Sequence, residues 1–396
     1  MRIVVLGGFG LQGQAALADL AGSESVSEVI CADLDVDRSR LQWLDQMADR
    51  IDPNKIRMVD LDASSVKDVV ALLRDGVDAA IDLLPIQLMP NAFEAAIEAG
   101  VGLVSTNYAK SIRHFHDRAV EARVCLMPEC GLDPGIDLII FGHAIMQLDQ
   151  LFILNSYCGG FPEAKACDNP LKYKISWNWE MVLRSQNRPS VFIRDGRRLD
   201  IPAEVQHENE MIHQIDFPGL GPLEAIPNGD AVFYTDLLGL TETIRETGRY
   251  SLRWPGWCDF WRPLKRFGFL SDAPVPGLVG EITPLRFLVK HMEPQLQYGP
   301  DEKDLVAMYN VFEGLKDGQR IRLVVTLFIE RDQETGVNAM SMGVGYTASI
   351  VAQMIAQGEI KGAGLLSPVR DVPYSLFMAR LAEKGIQVKE WIENED

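Results

Sequence analysis

The chain has 396 residues, of which 47% are hydrophobic, and it is therefore long enough to bury large cores in two or more domains. A formal net charge of −18 at pH 7 argues against a nucleic-acid partner, because phosphates bind to basic surfaces. The six cysteines are scattered without a CxxC pair, and neither a cysteine nor another histidine lies at zinc-site spacing from the pair His114 and His116.

These features predict a reduced, cytoplasmic protein without a structural metal. The acidic balance is typical of a soluble protein. A strand pattern begins almost at the first residue, so no signal peptide is expected. We also expect no membrane insertion, since no apolar run approaches 18 residues.

The first part of the chain, to about residue 128, alternates short apolar runs with helical patterns. Strands are predicted at residues 3–6, 29–32, 56–59, 78–84 and 101–105. Helices are predicted at residues 12–20, 66–73, 92–99 and 112–122. Strands that alternate with helices pair in parallel, so the pattern predicts an α/β fold with a Rossmann-type, doubly wound parallel sheet.

The pattern becomes less regular beyond residue 136. Strand-like runs at 151–156 and 320–329 lie among long loops rich in Pro, Gly, Trp and Arg. Five of the seven tryptophans fall between residues 155 and 263, and aromatic rings and arginines on long loops suit a site that encloses a polar ligand. A last helix is predicted over 346–357 and is closed by Gly358.

Three segments follow from this organisation. Residues 1–128 are predicted to form an NAD-binding Rossmann domain. Residues 129–343 are predicted to form a second, α+β domain for substrate binding and dimerisation. Residues 344–396 are expected to return to the first domain.

The stretch LGGFGLQG, residues 6–13, places glycines 8, 10 and 13 in the pattern GxGxxG between a strand and a helix. The first glycine permits a tight turn, the second lets a pyrophosphate approach the backbone, and the third lets helix and strand pack closely. Amide groups at the helix start would face the phosphates. The predicted cofactor contacts in this loop are Gly8, Phe9, Gly10, Leu11, Gln12 and Gly13. The alternative is a glycine turn without a ligand.

Asp33 ends the second predicted strand, 20 residues after Gly13. A carboxylate there accepts hydrogen bonds from the adenosine ribose and repels a 2′-phosphate, which favours NAD over NADP as the cofactor. Arg38 and Arg40 follow closely and would relieve part of that repulsion.

Three further cofactor contacts are predicted at the ends of two later strands. Asp62 follows the third strand and is placed to meet the adenine edge. Leu84 and Pro85 follow the fourth strand, on the rim where such sheets hold their ligands. Ordinary turn chemistry explains these residues equally well.

Four motifs in the second half carry a resemblance to a known family. They are CGLDPGID (130–137), YCGGFPEAKACDNPLKYKISWNWE (157–180), GPLEAIPNGD (221–230) and RYSLRWPGWCDFWRPLKRFGFL (249–270). In this order they resemble the saccharopine dehydrogenase family, which includes glutamate-forming saccharopine reductases and lysine 6-dehydrogenases. The glycine loop and the last helix extend the resemblance over nearly the whole chain.

The resemblance implies a dinucleotide-dependent enzyme of lysine metabolism. Its reaction is the oxidation of an amine-bearing CH–NH carbon of an amino acid, with hydride passing to the nicotinamide and the imine then hydrolysed or cyclised. The implied partners are a small amino-acid substrate and a second copy of the chain in a homodimer. Neither a membrane nor a nucleic acid is an expected partner.

Three residues match positions that line the substrate pocket in the saccharopine-using branch, namely Tyr108, Asp133 and Cys158. Tyr108 and Asp133 are predicted to be catalytic. Asp133 would hold the substrate ammonium or orient a water, although it would also serve as a helix N-cap before Pro134. Cys158 has no histidine near it in sequence and is predicted to form part of the pocket wall.

Three polar residues are further candidates for contact with the substrate. Lys174 is predicted to move a proton or hold a carboxylate, with a solvated lysine as the alternative. Asn169 would donate its amide to a carboxylate, or cap a turn before Pro170. Arg253 is predicted to bind a substrate carboxylate, because a guanidinium matches a carboxylate through two parallel hydrogen bonds.

Gly229 departs from the family pattern, since saccharopine-using relatives typically carry an arginine after the Pro-Asn pair. Glycine here is typical of lysine 6-dehydrogenases, whereas the YCGG and NPLKYK motifs favour saccharopine. Arg184 and Arg194 would compensate if they reach the pocket, and surface positions are the alternative for both. We predict an NAD-dependent saccharopine dehydrogenase of the L-glutamate-forming type. The alternatives are a lysine 6-dehydrogenase and a non-catalytic sensor that binds a dinucleotide.

Overall fold

The computed structural model describes residues 1–47 and 49–394, and the chain divides into two compact units. The first unit consists of Met1–His143 and Asp332–Gln387. The second consists of Ala144–Arg331 and the segment that begins at Val388. Each unit is therefore built from two separate stretches of the chain.

The first stretch alternates strands and helices, as predicted. Its strands are β1 (Arg2–Leu6), β2 (Glu28–Asp33), β3 (Ile56–Asp60), β4 (Ala79–Asp82), β5 (Gly102–Ser105) and β6 (Cys125–Met127). Its helices are α1 (Leu11–Gly22), α2 (Val66–Leu73), α3 (Met89–Ala99), α4 (His116–Ala122) and α5 (Ile136–Gln147). The helix predicted over 112–122 is in fact two elements, because a 3-10 helix over Ala109–Phe115 precedes α4.

The remaining elements follow in chain order. The strands up to residue 330 are β7 (Gln150–Pro162), β8 (Ser190–Arg194), β9 (Arg197–Ile201), β10 (His213–Phe217), β11 (Gly221–Pro227), β12 (Glu246–Arg253), β13 (Asp304–Lys316) and β14 (Gln319–Glu330). The helices among them are α6 (Trp179–Ser185), α7 (Val232–Leu237), α8 (Trp257–Arg266) and α9 (Pro284–Met292). The chain ends with α10 (Ala339–Ala356), β15 (Gly364–Leu365), α11 (Pro368–Asp371), α12 (Tyr374–Glu383) and β16 (Val388–Asn394).

The sheet of the first unit has the strand order β15-β6-β5-β4-β1-β2-β3, and its neighbouring strands pair in parallel. This confirms the Rossmann-type, doubly wound fold. Residues 3–6 of β1 are fully buried, as expected for a strand that is covered on both faces. The strand order reverses between β1 and β4, and a crevice at the carboxyl ends of these two strands is the usual ligand site of such sheets.

Helix α10 corrects two expectations. It is 18 residues long and apolar enough to span a membrane by length and composition, although 72% of it is buried inside the protein. The sequence predicted no such run, because polar residues such as Thr347 and Gln353 interrupt the apolar residues. It also begins seven residues earlier than predicted, since Gly343 and Gly345 disfavour a helix on propensity alone. The buried fraction is typical of a core helix.

The sheet of the second unit has the order β10-β11-β12-β7-β13-β14-β16, with the β8–β9 hairpin attached to β12. The β12–β7 pair is parallel and the other pairs along this order are antiparallel. Tyr157 and Tyr250 lie in an apolar core on one face. Side chains alternate between the faces along a strand, so Ser156, Cys158 and Ser251 lie on the other face. We call the latter the Cys158 face.

Candidate active site

The glycine loop between β1 and α1 has the geometry of a phosphate site. A Cβ on Gly13 would lie 2.4 Å from the Gly7 carbonyl oxygen, so a glycine is required for α1 to pack this closely. A Cβ on Gly10 would meet only that same oxygen, at 3.4 Å, which leaves the backbone open on its outer side. Among the described residues no side chain caps α1, and its first amides are therefore available to an anion. The loop fits the pyrophosphate of a dinucleotide.

The neighbours of these glycines show how the loop is held. A Cβ on Gly8 would lie 2.6 Å from the Cys31 sulfur, so the loop packs directly on β2. Gln14 Nε2 donates to the Phe9 carbonyl oxygen at 3.0 Å. Leu11 is 42% exposed and Gln12 is half-buried, which leaves both accessible to a ligand.

Asp33 lies at the end of β2, directly beside this loop. Its Oδ2 accepts a hydrogen bond from the Phe9 amide at 2.9 Å, and its Oδ1 accepts one from the Leu34 amide at 2.8 Å. The Phe9 ring is buried, and the Arg40 guanidinium carbon lies 4.2 Å from its centroid. The loop and the carboxylate are thus fixed to each other. The side chain of Arg38 falls outside the described part of the chain.

Leu84 lies close to the glycine loop, whereas Asp62 follows β3. A Cβ on Gly7 would lie 2.9 Å from the Leu83 carbonyl oxygen, which places Leu84 and the exposed Pro85 at the crevice between β1 and β4. Asp62 is exposed, and hydrogen bonds from Ser64 close its turn and lower the pKa of its carboxyl group. The turn chemistry weighed for Asp62 is therefore present, and its contact with adenine stays a prediction.

A buried polar network that the sequence reasoning missed lies at the carboxyl ends of β4 and β5. Ser105 Oγ donates to Asp82 Oδ2 at 2.7 Å, and the Leu84 amide donates to Asp82 Oδ1 at 3.1 Å. Asn107 joins the network through its amide, 3.2 Å from Ser105 Oγ. Burial raises the pKa of Asp82 to about 6. A signal for this network was present, because Asp82 interrupts the apolar run AAIDLL.

This network makes stability depend on pH. The folded Asp82 keeps its proton up to about pH 6, whereas the unfolded chain loses it near its ordinary pKa of 3.8. The contribution of Asp82 to the free energy of unfolding is therefore complete below about pH 4, and it falls by about 3 kcal/mol as the pH rises through 6. As the pH rises from 4 to 7, the free energy of unfolding of Asp82→Asn should therefore increase relative to that of the wild type by about 3 kcal/mol, and urea unfolding measures this difference. The control is Asp62→Asn, because the pKa of the Asp62 carboxyl group is lowered in the folded protein, and the stability of this variant relative to the wild type should change with pH in the opposite direction. Equal pH profiles of stability for Asp82→Asn and the wild type would contradict the assignment.

Tyr108 and the loop that carries Asp133 belong to the same edge of the first sheet. The Cys130 amide donates to the Ser105 carbonyl at 2.9 Å, and the Glu129 amide donates to the Asn107 carbonyl at 3.1 Å. Tyr108 is 37% exposed and Asp133 is half-buried. The structure thus brings these two predicted catalytic residues to neighbouring segments.

The interpretation of Asp133 as a helix cap is wrong. Helix α5 begins at Ile136, so Pro134 is not its first residue. The backbone of the loop closes on itself instead, with the Gly131 amide donating to the Pro134 carbonyl at 2.9 Å. The catalytic role of Asp133 stays a prediction.

Arg253 is a buried cation at the end of β12. It is 6% exposed, and its guanidinium carbon lies 5.4 Å from the Tyr173 ring centroid and 5.1 Å from that of Trp257. Its Nη1 donates to the Leu252 carbonyl at 2.7 Å. Within the described chain no carboxylate pairs with it, and its Nε has no acceptor. Burial lowers its pKa, and an anionic ligand would offset the cost of that buried charge.

Two neighbours complete the surroundings of Arg253. Cys158 lies in the middle of β7, opposite Ser251 of β12, and is 6% exposed. The hydroxyl of Tyr298 is buried without a hydrogen-bond partner in the described residues, and burial raises its pKa. Arg253 lies two residues after Ser251 on β12 and therefore shares the face that carries Cys158, and both the thiol and the Tyr298 hydroxyl are near enough to affect the pKa of Arg253. The structure therefore brings Cys158 and Arg253 to one face of the sheet, and their contact with a substrate stays a prediction.

Lys174 differs from both of its interpretations. It is buried, so it is not a solvated lysine. Its Nζ donates to Glu302 Oε1 at 2.7 Å, to Glu302 Oε2 at 2.8 Å and to Asp168 Oδ2 at 3.0 Å. Burial alone lowers the pKa of Lys174, but these two carboxylates outweigh it and raise the pKa above its ordinary value. An ammonium with its three donors engaged does not suit the transfer of a proton or the binding of a substrate carboxylate.

The side chain of Asn169 forms hydrogen bonds within its own turn. Its Oδ1 accepts from the Leu171 amide at 3.1 Å, and its Nδ2 donates to the Tyr173 carbonyl at 2.9 Å. This is the turn-capping alternative, and it leaves the amide poorly placed for a substrate carboxylate. The side-chain amide is satisfied within five residues of chain.

The two arginines considered as replacements at Gly229 lie elsewhere. Arg184 is 40% exposed and forms ion pairs with Glu180 and Asp272. Arg194 interacts with Tyr250, on the face of the sheet opposite to Cys158. Both side chains are exposed, so the surface position is confirmed for Arg184 and for Arg194.

The cysteines and histidines form no cluster that suggests a metal. The six cysteines, all of which lie in the described residues, form no disulfide. In residues 1–47 and 49–394, no group of three or more His, Cys, Asp or Glu side chains is arranged to hold an ion. His116 Nδ1 instead accepts a hydrogen bond from the Leu365 amide at 3.1 Å, which joins α4 to β15.

Comparison with known proteins bears on the whole chain. Residues 3–127 match the sequence model of the saccharopine dehydrogenase NADP binding domain. Residues 131–386 match that of the saccharopine dehydrogenase C-terminal domain. The first match covers the glycine loop and Asp33, and the second covers Cys158 and Arg253.

Curated relatives show a similarity of about one residue in four. The mitochondrial alpha-aminoadipic semialdehyde synthase of Mus musculus is 26% identical over 378 residues, which are 79% of this chain and 40% of that protein. The chain thus spans about two fifths of the length of this relative. The saccharopine dehydrogenase [NADP(+), L-glutamate-forming] of Saccharomyces cerevisiae is 26% identical over 407 residues, which cover 85% of this chain and 89% of that protein.

A solved structure has the same fold. Apo saccharopine dehydrogenase (L-Glu forming) from Saccharomyces cerevisiae superposes with a TM-score of 0.84 over 99% of both chains, at 23% sequence identity. Both domains of the family are therefore matched in sequence, and the fold is matched along the chain. The chain belongs to the saccharopine dehydrogenase family.

Proposed function

We propose that the chain is a dinucleotide-dependent oxidoreductase of the saccharopine dehydrogenase (L-glutamate-forming) type, acting on the CH–NH carbon of saccharopine in lysine metabolism. The observation that carries this proposal is the buried guanidinium of Arg253, which has no carboxylate partner among the described residues and lies beside Cys158. Such a cation suits a substrate that brings its own carboxylate. The name of the yeast relative supports the same substrate.

When bound, the nicotinamide of the dinucleotide supplies the hydride acceptor. The loop at Gly8, Gly10 and Gly13 would hold the pyrophosphate, and Asp33 would hold the ribose. Arg253 would bind a substrate carboxylate and so orient the reacting carbon. Tyr108 and Asp133 remain the proposed catalytic residues, whereas Lys174 is proposed to hold its loop in place through Glu302 and Asp168.

The cofactor we propose is NAD, although the matched domain and the yeast relative both carry NADP in their names. The reason is Asp33, whose carboxylate would face a 2′-phosphate at the end of β2. Arg40, which lies over Phe9, is the nearby cation that would favour NADP.

We therefore expect kcat/KM with NAD to exceed that with NADP by roughly tenfold or more, since one such charge repulsion is worth about 1.4 kcal/mol or more. Asp33→Ser should reduce the ratio of kcat/KM for NAD to kcat/KM for NADP, because it lowers the first value and raises the second. Asp37→Ala, which removes an exposed carboxylate bonded to Ser39, should leave the ratio unchanged. A preference for NADP in the wild type would overturn the proposal of NAD.

The proposed reaction is tested by a panel of amines followed at the NADH absorbance band. Saccharopine should be oxidised with release of glutamate. Oxidation of lysine without oxidation of saccharopine would instead make the chain a lysine 6-dehydrogenase. Binding of a dinucleotide without turnover of any amine would support the sensor alternative.

A further inference from the structure

A row of polar side chains crosses the Cys158 face. Arg249 of β12 and Asn310 of β13 both lie opposite Ser156 of β7 in the strand register. The Asn228 amide donates to the Arg249 carbonyl at 2.8 Å, which extends the row by one position just beyond β11. Residues directly opposite each other in a sheet share a face. The row therefore runs Asn228, Arg249, Ser156, Asn310.

Two members of the row, Asn310 and Ser156, are buried and are not satisfied by the described residues. Asn310 is fully buried, and in the described chain both its Oδ1 and its Nδ2 lack a hydrogen-bond partner. Ser156 is 1% exposed, and its Oγ lacks a partner as well. Buried polar atoms in folded proteins are nearly always hydrogen-bonded, so this pattern points to a polar ligand on this face.

Arg188 lies at the Asn228 end of the row. Its Nη2 donates to Asn228 Oδ1, while its buried Nε has no acceptor and no carboxylate pairs with it in the residues described. Its guanidinium atoms lie 3.7–4.0 Å from the position that a Cβ on Gly229 would occupy. The guanidinium of Arg188 thus lies directly beside Gly229. The backbone φ of +83° at Gly229 disfavours a residue with a side chain at this position.

We propose that Arg188 is a specificity-determining residue that binds a second carboxylate of the substrate, with Ser156 and Asn310 contacting polar atoms along its length. This inference rests on the proposed function and narrows its substrate class to amino acids with at least two separated carboxylates. Four neighbouring strands at about 4.8 Å spacing give the row a length of roughly 14 Å, enough for such a molecule. Arg253, on the same face, binds the other carboxylate.

The test compares two arginines that lie four residues apart. Arg188→Gln removes a guanidinium that has no carboxylate partner in the described residues, and Arg184→Gln removes a guanidinium that is ion-paired on the surface. We expect Arg188→Gln to raise KM for saccharopine roughly 10- to 100-fold, the range for a lost hydrogen bond to a charged group. KM for NAD should stay unchanged, Arg188→Lys should recover part of the loss, and Arg184→Gln should match the wild type.

Monoamides of saccharopine, each with one carboxylate replaced, identify the group that Arg188 binds. For the wild type, KM for one monoamide should exceed KM for saccharopine by the same factor by which Arg188→Gln raises KM for saccharopine. For Arg188→Gln, KM for that monoamide should equal its KM for saccharopine. Equal KM values for Arg188→Gln and Arg184→Gln would overturn the role of Arg188 while leaving saccharopine as the substrate. Failure of the wild type to oxidise any amine would overturn the proposed function together with this inference. Circular dichroism and thermal unfolding of each variant show whether it is folded.

Discussion

Arg253→Gln is expected to lower kcat/KM for saccharopine by about 30-fold to several thousandfold, while the affinity for NAD stays within about twofold. The variant would leave a substrate carboxylate without its cation in a buried place, and truncation of one member of such a pair costs about 2–5 kcal/mol. Steady-state kinetics and calorimetric titration with NAD separate the two effects. Loss of NAD binding in a folded variant would remove Arg253 from the substrate site.

The same variant should not lose stability, and this distinguishes a ligand-binding arginine from a structural one. In the described chain the Arg253 guanidinium has no carboxylate partner, so its replacement by a neutral side chain relieves a buried charge. Arg262 is the matched control, because it donates to the His207 carbonyl and to Asp259. Arg262→Gln should lower the midpoint of thermal unfolding, whereas Arg253→Gln should not. A strongly destabilised Arg253→Gln with normal turnover would show a structural role instead.

Gly13→Ala is expected to abolish dinucleotide binding and to destabilise the fold by about 3 kcal/mol or more, at the upper end of the cost of overpacking. The new methyl group would lie 2.4 Å from the Gly7 carbonyl oxygen and 2.7 Å from the Gly8 Cα, and backbone atoms cannot move aside as a flexible side chain can. Calorimetric titration with NAD measures the loss of binding, and urea unfolding measures the loss of stability.

Gly10→Ala provides the contrast within the same loop. Its methyl group would meet only the Gly7 carbonyl oxygen, at 3.4 Å, so the protein should fold normally. The methyl group would nevertheless occupy the side on which the pyrophosphate is expected, and the affinity for NAD should fall by roughly tenfold or more. Normal affinity in Gly10→Ala would mean that the loop is a glycine turn without a phosphate.

Local patterns predicted the first unit well because its strands are short, apolar and separated by amphipathic helices. The bounds of α2 over Val66–Leu73 agree at both ends with the prediction. In contrast, β13 was not predicted, although it is 13 residues long. Polar residues such as Asn310 lie on a buried face of this strand, so its hydrophobicity does not alternate as in an ordinary strand.

The sequence identified the types of side chain at the candidate site, but it did not identify the residues with which these side chains form hydrogen bonds and ion pairs. Lys174 and Arg253 are both buried cations in family motifs, and the sequence around them does not show which has a carboxylate. Glu302, which pairs with Lys174, lies 128 residues away in the chain. Arg188 was overlooked for the same reason, since only the fold brings it to Gly229. Asn169, by contrast, bonds within its own turn, and that alternative was visible in the local sequence.

The close packing of α1 against α10 has a consequence for the order of events on the ribosome. A Cβ on Gly345 would lie 2.5 Å from the Gln12 carbonyl oxygen, so the helix that follows the glycine loop is covered by a helix made more than 320 residues later. β15, which pairs with β6, is synthesised later still. The nascent dinucleotide-binding part must therefore wait, with the apolar side of α1 uncovered, until α10 at residues 339–356 has been translated. A fragment that stops at His143 would keep that surface exposed and should be a client of chaperones rather than an autonomous cofactor-binding module.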